Sequence, residues 1–203
     1  TDQVVMDLMR EFNMSKAVVY NTVQLYLVDG NRRLKQMHNI ATKEGFYLGL
    51  KLVRGAYMEK ERKIAQRQGL ASPICITKVE TDMNFNVGVA YCLKHLVNIA
   101  VVLGSHNEES VIQAINMMDQ HEIKPNDNRV WFSQLLGMSD YISFVLSDEG
   151  YNVVKFVPFG PMNKLIPYLA RRAEENTAIA GQTSKELTRL RSELKRRALA
   201  NER

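Results

Sequence analysis

A parallel α/β fold is the architecture that this sequence predicts, and three observations predict it. Five short apolar segments recur along the 203 residues, at spacings of roughly 25–50 residues. Each is followed by one or two stretches of helical periodicity, and strict strand–helix alternation argues for a parallel sheet. Polar or glycine-marked residues gather just past the apolar segments, where right-handed crossovers bring all strand C-termini to one edge. An eight-stranded α/β barrel needs about 250 residues, so five units are either an open α/β sheet or part of a barrel. The chain opens on a helical pattern with no strand before it. That favours a TIM-type (βα)8 barrel represented by its last five strands and their helices. The barrel part is expected over residues 1–182 and a basic amphipathic helix over 183–203.

Each element has its own signal. Residues 1–13 place Val4, Val5, Leu8, Met9 and Phe12 at helical spacing. Residues 17–25 are β-branched and strand-like. Asp29-Gly30 leads into a helix over about 31–43, closed by Gly45. The second strand covers 46–54, with Leu48, Leu50 and Leu52 on one face and Tyr47, Gly49, Lys51 and Val53 on the other. Burying an unpaired ammonium costs several kcal/mol or more, so Lys51 must meet a partner or an opening. Residues 57–68 form a charged helix ended by Gly69, and Ser72-Pro73 turns the chain. A helix over about 78–95 carries Val79, Met83, Phe85, Val87, Val89, Ala90 and Leu93. The third strand, 96–104, ends in Ser105-His106-Asn107. Helix 108–120, strand 129–135, helix 139–147 and strand 152–159 follow. Pro161 and Pro167 bracket the start of a helix that carries Tyr168, Arg171 and Arg172. Thr183-Ser184-Lys185-Glu186 reads as a capping box for a helix with Leu187, Leu190 and Leu194 on one side.

Composition narrows the function classes. Hydrophobic content of 45% and charged content of 24% are those of a globular protein. No apolar run reaches the ~18 residues of a membrane span, and the opening residues are not expected to be a signal peptide. Cys75 and Cys92 are too few for a disulfide scaffold and read as thiols in a reducing compartment. The net charge of +5 comes largely from the C-terminal stretch. That stretch has the charge for nucleic acid or an anionic surface, but packing its leucines onto the body is the favoured reading, and nucleic acid is not an expected partner.

The candidate chemistry sits at strand ends: Gln24, Arg54-Gly55-Ala56-Tyr57, Ser105-His106-Asn107-Glu108, Leu135 to Gly137, and Phe156 to Gly160. Singly, each is an ordinary loop residue, and a lone His106 is more often structural than a ligand. The topology brings four or five such loops to one rim, which is how barrel enzymes build a site. Arg171 and Arg172 are adjacent on a helix and about 100° apart, so the pair addresses two acceptors. Guanidinium forks suit carboxylates, and Glu175 has helical spacing to either arginine. A solvated helix with ion pairs is the plainer alternative. His38, His95, His106 and His121 lack a carboxylate or cysteine at ligand spacing, so no metal is expected. There is no GxGxxG and no P-loop, and adjacency of Ser105 and His106 is poor geometry for a hydrolytic triad.

Five stretches together resemble the proline dehydrogenase family. They are Lys51-Leu52-Val53-Arg54-Gly55-Ala56-Tyr57 with Glu59-Lys60-Glu61-Arg62; Ser105-His106-Asn107-Glu108; Gln134-Leu135-Leu136-Gly137-Met138; Phe156-Val157-Pro158-Phe159-Gly160-Pro161; and Tyr168-Leu169-Ala170-Arg171-Arg172-Ala173-Glu174-Glu175-Asn176. They come in the family's order and spacing, from Val19 to the end of the arginine helix. The resemblance implies a flavoenzyme on a distorted (βα)8 barrel that oxidises L-proline to Δ1-pyrroline-5-carboxylate and passes the electrons to a quinone.

The same resemblance implies the residue roles. Gln24 and Lys51 would contact the flavin of FAD, with Lys51 near N5 where many relatives have Arg. Val53 and Gly55 would line it by backbone. Ser105 (often Thr in relatives), His106 and Asn107 would hold the cofactor. Arg171 and Arg172 would grip the proline carboxylate, Arg172 also near FAD, with Glu175 steadying both. Ala56, Tyr57, Leu135 and Phe156 would enclose the ring. Phe156 stands where relatives usually carry Tyr, which bears on discrimination between proline and hydroxyproline. The family's first three strands, with a lysine and an aspartate of the site, have no counterpart here, so the isolated chain is expected to be impaired. A bacterial cytoplasmic protein peripheral to the inner membrane is expected, with the mitochondrion as the alternative, and an oligomer is compatible. A non-catalytic barrel remnant acting as a binding module, and a flavin barrel similar to methylenetetrahydrofolate reductase, are the competing readings.

Overall fold

The computed structural model describes residues 2–178 and, beyond them, Thr188, Arg191, Ser192 and Lys195; over 173–178 it describes the backbone alone. The capping box at Thr183 and the leucine face of Leu187, Leu190 and Leu194 lie outside the described residues. The chain divides into two units, Thr1–Phe156 and Val157–Arg203. The first runs α1 (Asp2–Phe12), β1 (Tyr20–Gln24), α2 (Gly30–Glu44), β2 (Leu48–Val53), α3 (Met58–Arg67), α4 (Lys78–Lys94), β3 (Ile99–Gly104), α5 (Glu108–Gln120), β4 (Val130–Leu135), α6 (Asp140–Asp148) and β5 (Val153–Phe156). The second carries α7 (Met162–Ala178).

All five strands are parallel and lie in chain order, β1-β2-β3-β4-β5. A doubly wound open sheet reverses its order at a switch point; an unbroken order is that of a barrel wall. The two faces of β2 separate as their alternation predicts. Leu48, Leu50 and Leu52 are fully buried, while Lys51 and Val53 are only partly so. The buried face continues through Val101, Leu103, Val130 and Phe132 and packs on Leu34, Phe85 and Val89 of the helices. Each such side chain contributes about 1.5–3 kcal/mol on burial.

Helix ends are fixed locally. Thr77 caps α4 in a reciprocal box: Glu80 N–H donates to Thr77 Oγ1 at 3.1 Å and Thr77 N–H to Glu80 Oε2 at 3.4 Å. Asn107 caps α5, accepting from Ser110 N–H at 3.1 Å. Gly45, at φ 78°, ends α2 in the left-handed region that glycine enters freely.

Several elements differ from expectation. The strands are shorter than their apolar runs. Leu96, Val97 and Asn98 belong to a turn, in which Asn98 N–H and Ile99 N–H donate to His95 O, and β5 stops at Phe156 before Pro158, which has no N–H for a ladder. In α1 the buried side chains are Met6 and Met9, while Val4, Leu8 and Phe12 are 62%, 41% and 53% exposed. On α4, Val79, Met83 and Val87 are exposed and Phe85, Val89 and Leu93 are buried. Pro167 lies inside α7 rather than at its border. His38 is a core histidine: Nδ1 meets Tyr91 OH at 2.7 Å and Nε2 meets Asn98 Oδ1 at 2.9 Å. Asn98 Nδ2 donates to Thr42 at 2.7 Å. The His38 ring is thus held at both of its nitrogens.

Candidate active site

The register brings the strand ends into line. Gln24 pairs with Val53, Val53 with Gly104, Gly104 with Ser133, and Leu135 with Phe156. Lys51 is two residues below this rim, between Thr22 and Val102, on the face away from the helices. Its Nζ lies 4.8 Å from the centre of the Phe156 ring. Between β2 and β5 stand two strands, roughly 14 Å of sheet at ordinary strand spacing. Side chains that meet across that gap do so on a concave surface. Lys51 has therefore both an opening and an aromatic partner, and burial still holds its ammonium below the usual lysine range. Gly104 makes room for it, since a Cβ there would lie 3.0 Å from Val53 Cγ1 and 3.3 Å from Lys51 Cε.

The segment after β2 is set by Tyr26. Tyr26 N–H donates to Arg54 O at 2.6 Å, and Gly55 lies flat on the Tyr26 ring at φ 129°. Ala56 and Tyr57 follow, Tyr57 at the start of α3 and 42% exposed. Leu135 is buried at the end of β4, and Phe156 is 43% exposed beside it.

After β3, Ser105 is buried and His106 Nδ1 lies 3.2 Å from Ser139 Oγ. Burial, with Lys155 nearby, pushes the His106 imidazole down to about 4. Gln134 on β4 is buried on the helix-facing side; its Nε2 donates to Ser105 O at 3.3 Å and its Oε1 accepts from Ser143 at 2.9 Å. Lys155 on β5 donates to Met138 O at 3.1 Å and pairs with Asp140 at 2.6 Å. The sequence reading gave no role to Gln134, Ser143 or Lys155. The available signal was a polar residue at a strand position in phase with Val130 and Phe132.

The paired arginines belong to the second unit. On α7, Arg171 is exposed and Arg172 stacks its guanidinium 5.2 Å from the Tyr168 ring centre. The side chain of Glu175 lies outside the described residues.

One buried polar atom tests whether a flavin fits the rim. Gln24 Oε1 is buried with no hydrogen-bond donor among the described residues. Leaving an acceptor so costs about 1–3 kcal/mol, and a flavin, with an N–H between two carbonyls, supplies such a donor. Gln24, Lys51, the Val53 and Gly55 backbone and the turn 105–107 together offer the acceptors and donors that a flavin needs.

Three comparisons bear on this arrangement. A family model described as proline dehydrogenase matches residues 1–185. "Proline dehydrogenase 1, mitochondrial" of Homo sapiens is 40% identical over 198 residues, covering 96% of this chain and 33% of the relative. "Hydroxyproline dehydrogenase" of Xenopus laevis is 39% identical over 198 residues, covering 96% of this chain and 42% of the relative. The chain thus spans well under half the length of these relatives. The crystal structure of proline utilization A from Bdellovibrio bacteriovorus, inactivated by N-propargylglycine, superposes with a TM-score of 0.81 at 28% identity, over 88% of this chain and 18% of that one.

Proposed function

The chain belongs to the proline dehydrogenase family, and from that premise we propose that it builds the catalytic face of an FAD-dependent oxidation of L-proline to Δ1-pyrroline-5-carboxylate, with a quinone as electron acceptor. The observation that carries the reading is the meeting of Lys51 and Phe156 over Gly104 on the concave face, beside the rim where the Gln24 acceptor is buried.

In this proposal the chemistry that FAD would supply, when bound, is that of an acceptor for the hydride equivalent lost from C5 of proline. Lys51 holds a positive charge and N–H donors on the concave face, beside the flavin. Gln24, whose buried amide oxygen lacks a donor among the described residues, would help to hold the flavin. His106, neutral at physiological pH because of its burial, offers hydrogen bonds without a charge. Ala56, Tyr57, Leu135 and Phe156 exclude water and align the substrate ring, since a hydride transfer depends on positioning more than on acid–base groups. Arg171 and Arg172 keep the role that the family motif gives them, guanidinium forks for the proline carboxylate, with Glu175 as their brace. The substrate amine gives up its proton before the carbon is oxidised.

A quinone acceptor puts the working protein beside a membrane, bacterial or mitochondrial, and the association proposed is peripheral. No helix among the described residues is long and apolar enough to cross a membrane. The test is proline-dependent reduction of a dye by the FAD-supplemented protein. Lys51→Met is expected to lower the rate by about 100-fold, the typical cost of one preorganised donor, with little change in melting. An unchanged rate would remove Lys51 from the site.

A further inference from the structure

Arg54 points away from the concave face, and the proposed reaction gives it no task. It is nonetheless held on every side. Its Nε donates to Asp82 Oδ1 at 2.6 Å, Nη1 to Ser105 Oγ at 2.8 Å and Nη2 to Ser110 Oγ at 2.7 Å. The Phe85 ring centre lies 4.4 Å from its Cζ. Three elements other than its own supply these partners: α4, the end of β3 and the first turn of α5.

Ser105 and Ser110 bracket the turn that holds His106 and Asn107. Asn107 N–H donates to Ser105 Oγ at 3.1 Å and Ser110 N–H to Asn107 Oδ1 at 3.1 Å. Ser110 Oγ itself donates to Asn86 Oδ1 at 2.7 Å. The turn is therefore a closed ring of hydrogen bonds with one guanidinium spanning its two ends. Ser105 Oγ accepts from both Arg54 and Asn107, so its own O–H is committed to donating. A serine fixed in that sense recognises an acceptor oxygen of a ligand.

We propose that Arg54 is a positioning residue: its planar fork sets the turn 105–107, and through it the seat of the cofactor, and it does so from the same strand end that carries Lys51. The inference rests on the FAD reading above. A lysine reaches Asp82 from this position but does not span two hydroxyls in fixed directions. Asp82 also pairs with Lys78 at 2.5 Å, so loss of the guanidinium leaves that carboxylate with a cation.

The test is FAD titration, followed by quenching of flavin fluorescence, beside a melting curve for each variant. Arg54→Lys is expected to melt close to wild type and to bind FAD about tenfold more weakly, the value of one charged hydrogen bond. Ser110→Ala keeps the Arg54–Asp82 pair, so it reads the bracket even where Arg54→Lys fails to fold, and a few-fold weakening is expected. A purely structural Arg54 would restore FAD affinity and melting together in Arg54→Lys. FAD affinity equal to wild type in folded Arg54→Lys, or in Ser110→Ala, overturns the inference alone. Wild-type protein that binds no FAD overturns the cofactor reading and this inference with it.

Discussion

Gly55 sits at φ 129°, and a Cβ built there would fall 1.5 Å from Tyr26 Cε1. Gly55→Ala combines left-handed strain with a clash against a buried ring, for a destabilisation of about 2–4 kcal/mol, measurable as a lower urea midpoint at unchanged slope. His106 makes a pH-dependent contribution. Its imidazole titrates near 6.5 when exposed and near 4 in the fold. Between those values the unfolded chain binds the extra proton, so the contribution is whole above about 6.5 and is lost as pH falls towards 4. The loss is on the order of 2–3 kcal/mol. His106→Asn should flatten the difference in unfolding free energy between pH 7 and pH 4.5; an equally steep variant would place the titration elsewhere. The alternation of β2 told which residues share the face of Lys51, because period two follows from the pleat alone. It did not tell that Arg54 would hold Ser105 and Ser110, since those partners are more than 50 residues away and meet only after three elements have packed.

The capping box of α4 went unread in the sequence, although Thr77 and Glu80 carry its spacing. Thr77→Ala is expected to cost about 1 kcal/mol, seen as a lower melting temperature. Because α4 supplies Asp82 to Arg54, FAD affinity should weaken with it, whereas Val79→Ala, at an exposed position of the same helix, should leave both unchanged. The helices were legible to within a residue or two because glycines and caps punctuate them. Strand ends were not, since an apolar run such as Leu96-Val97 serves a turn as readily as a ladder. The covered face of α1 was not legible for a related reason. Periodicity finds a stripe of apolar residues but not which of two stripes is covered, and Met6 with Met9 won over Val4, Leu8 and Phe12.

Strand–helix alternation is common to open sheets and barrels, so the sequence pattern left both available. The order of strands decides between them, and that order is a property of which strands pair. Here it runs unbroken from β1 to β5, and its curvature is enough for β2 and β5 to share a side-chain contact. The concave face so formed is the central claim, as the surface on which flavin and proline meet. Visible absorbance of the protein with one equivalent of FAD, without oxygen, before and after L-proline, tests it most directly. The account predicts bands of bound oxidised flavin that bleach when proline is added, slowly, in keeping with the impairment expected of the chain on its own. Bound flavin whose bands persist under saturating proline would contradict it.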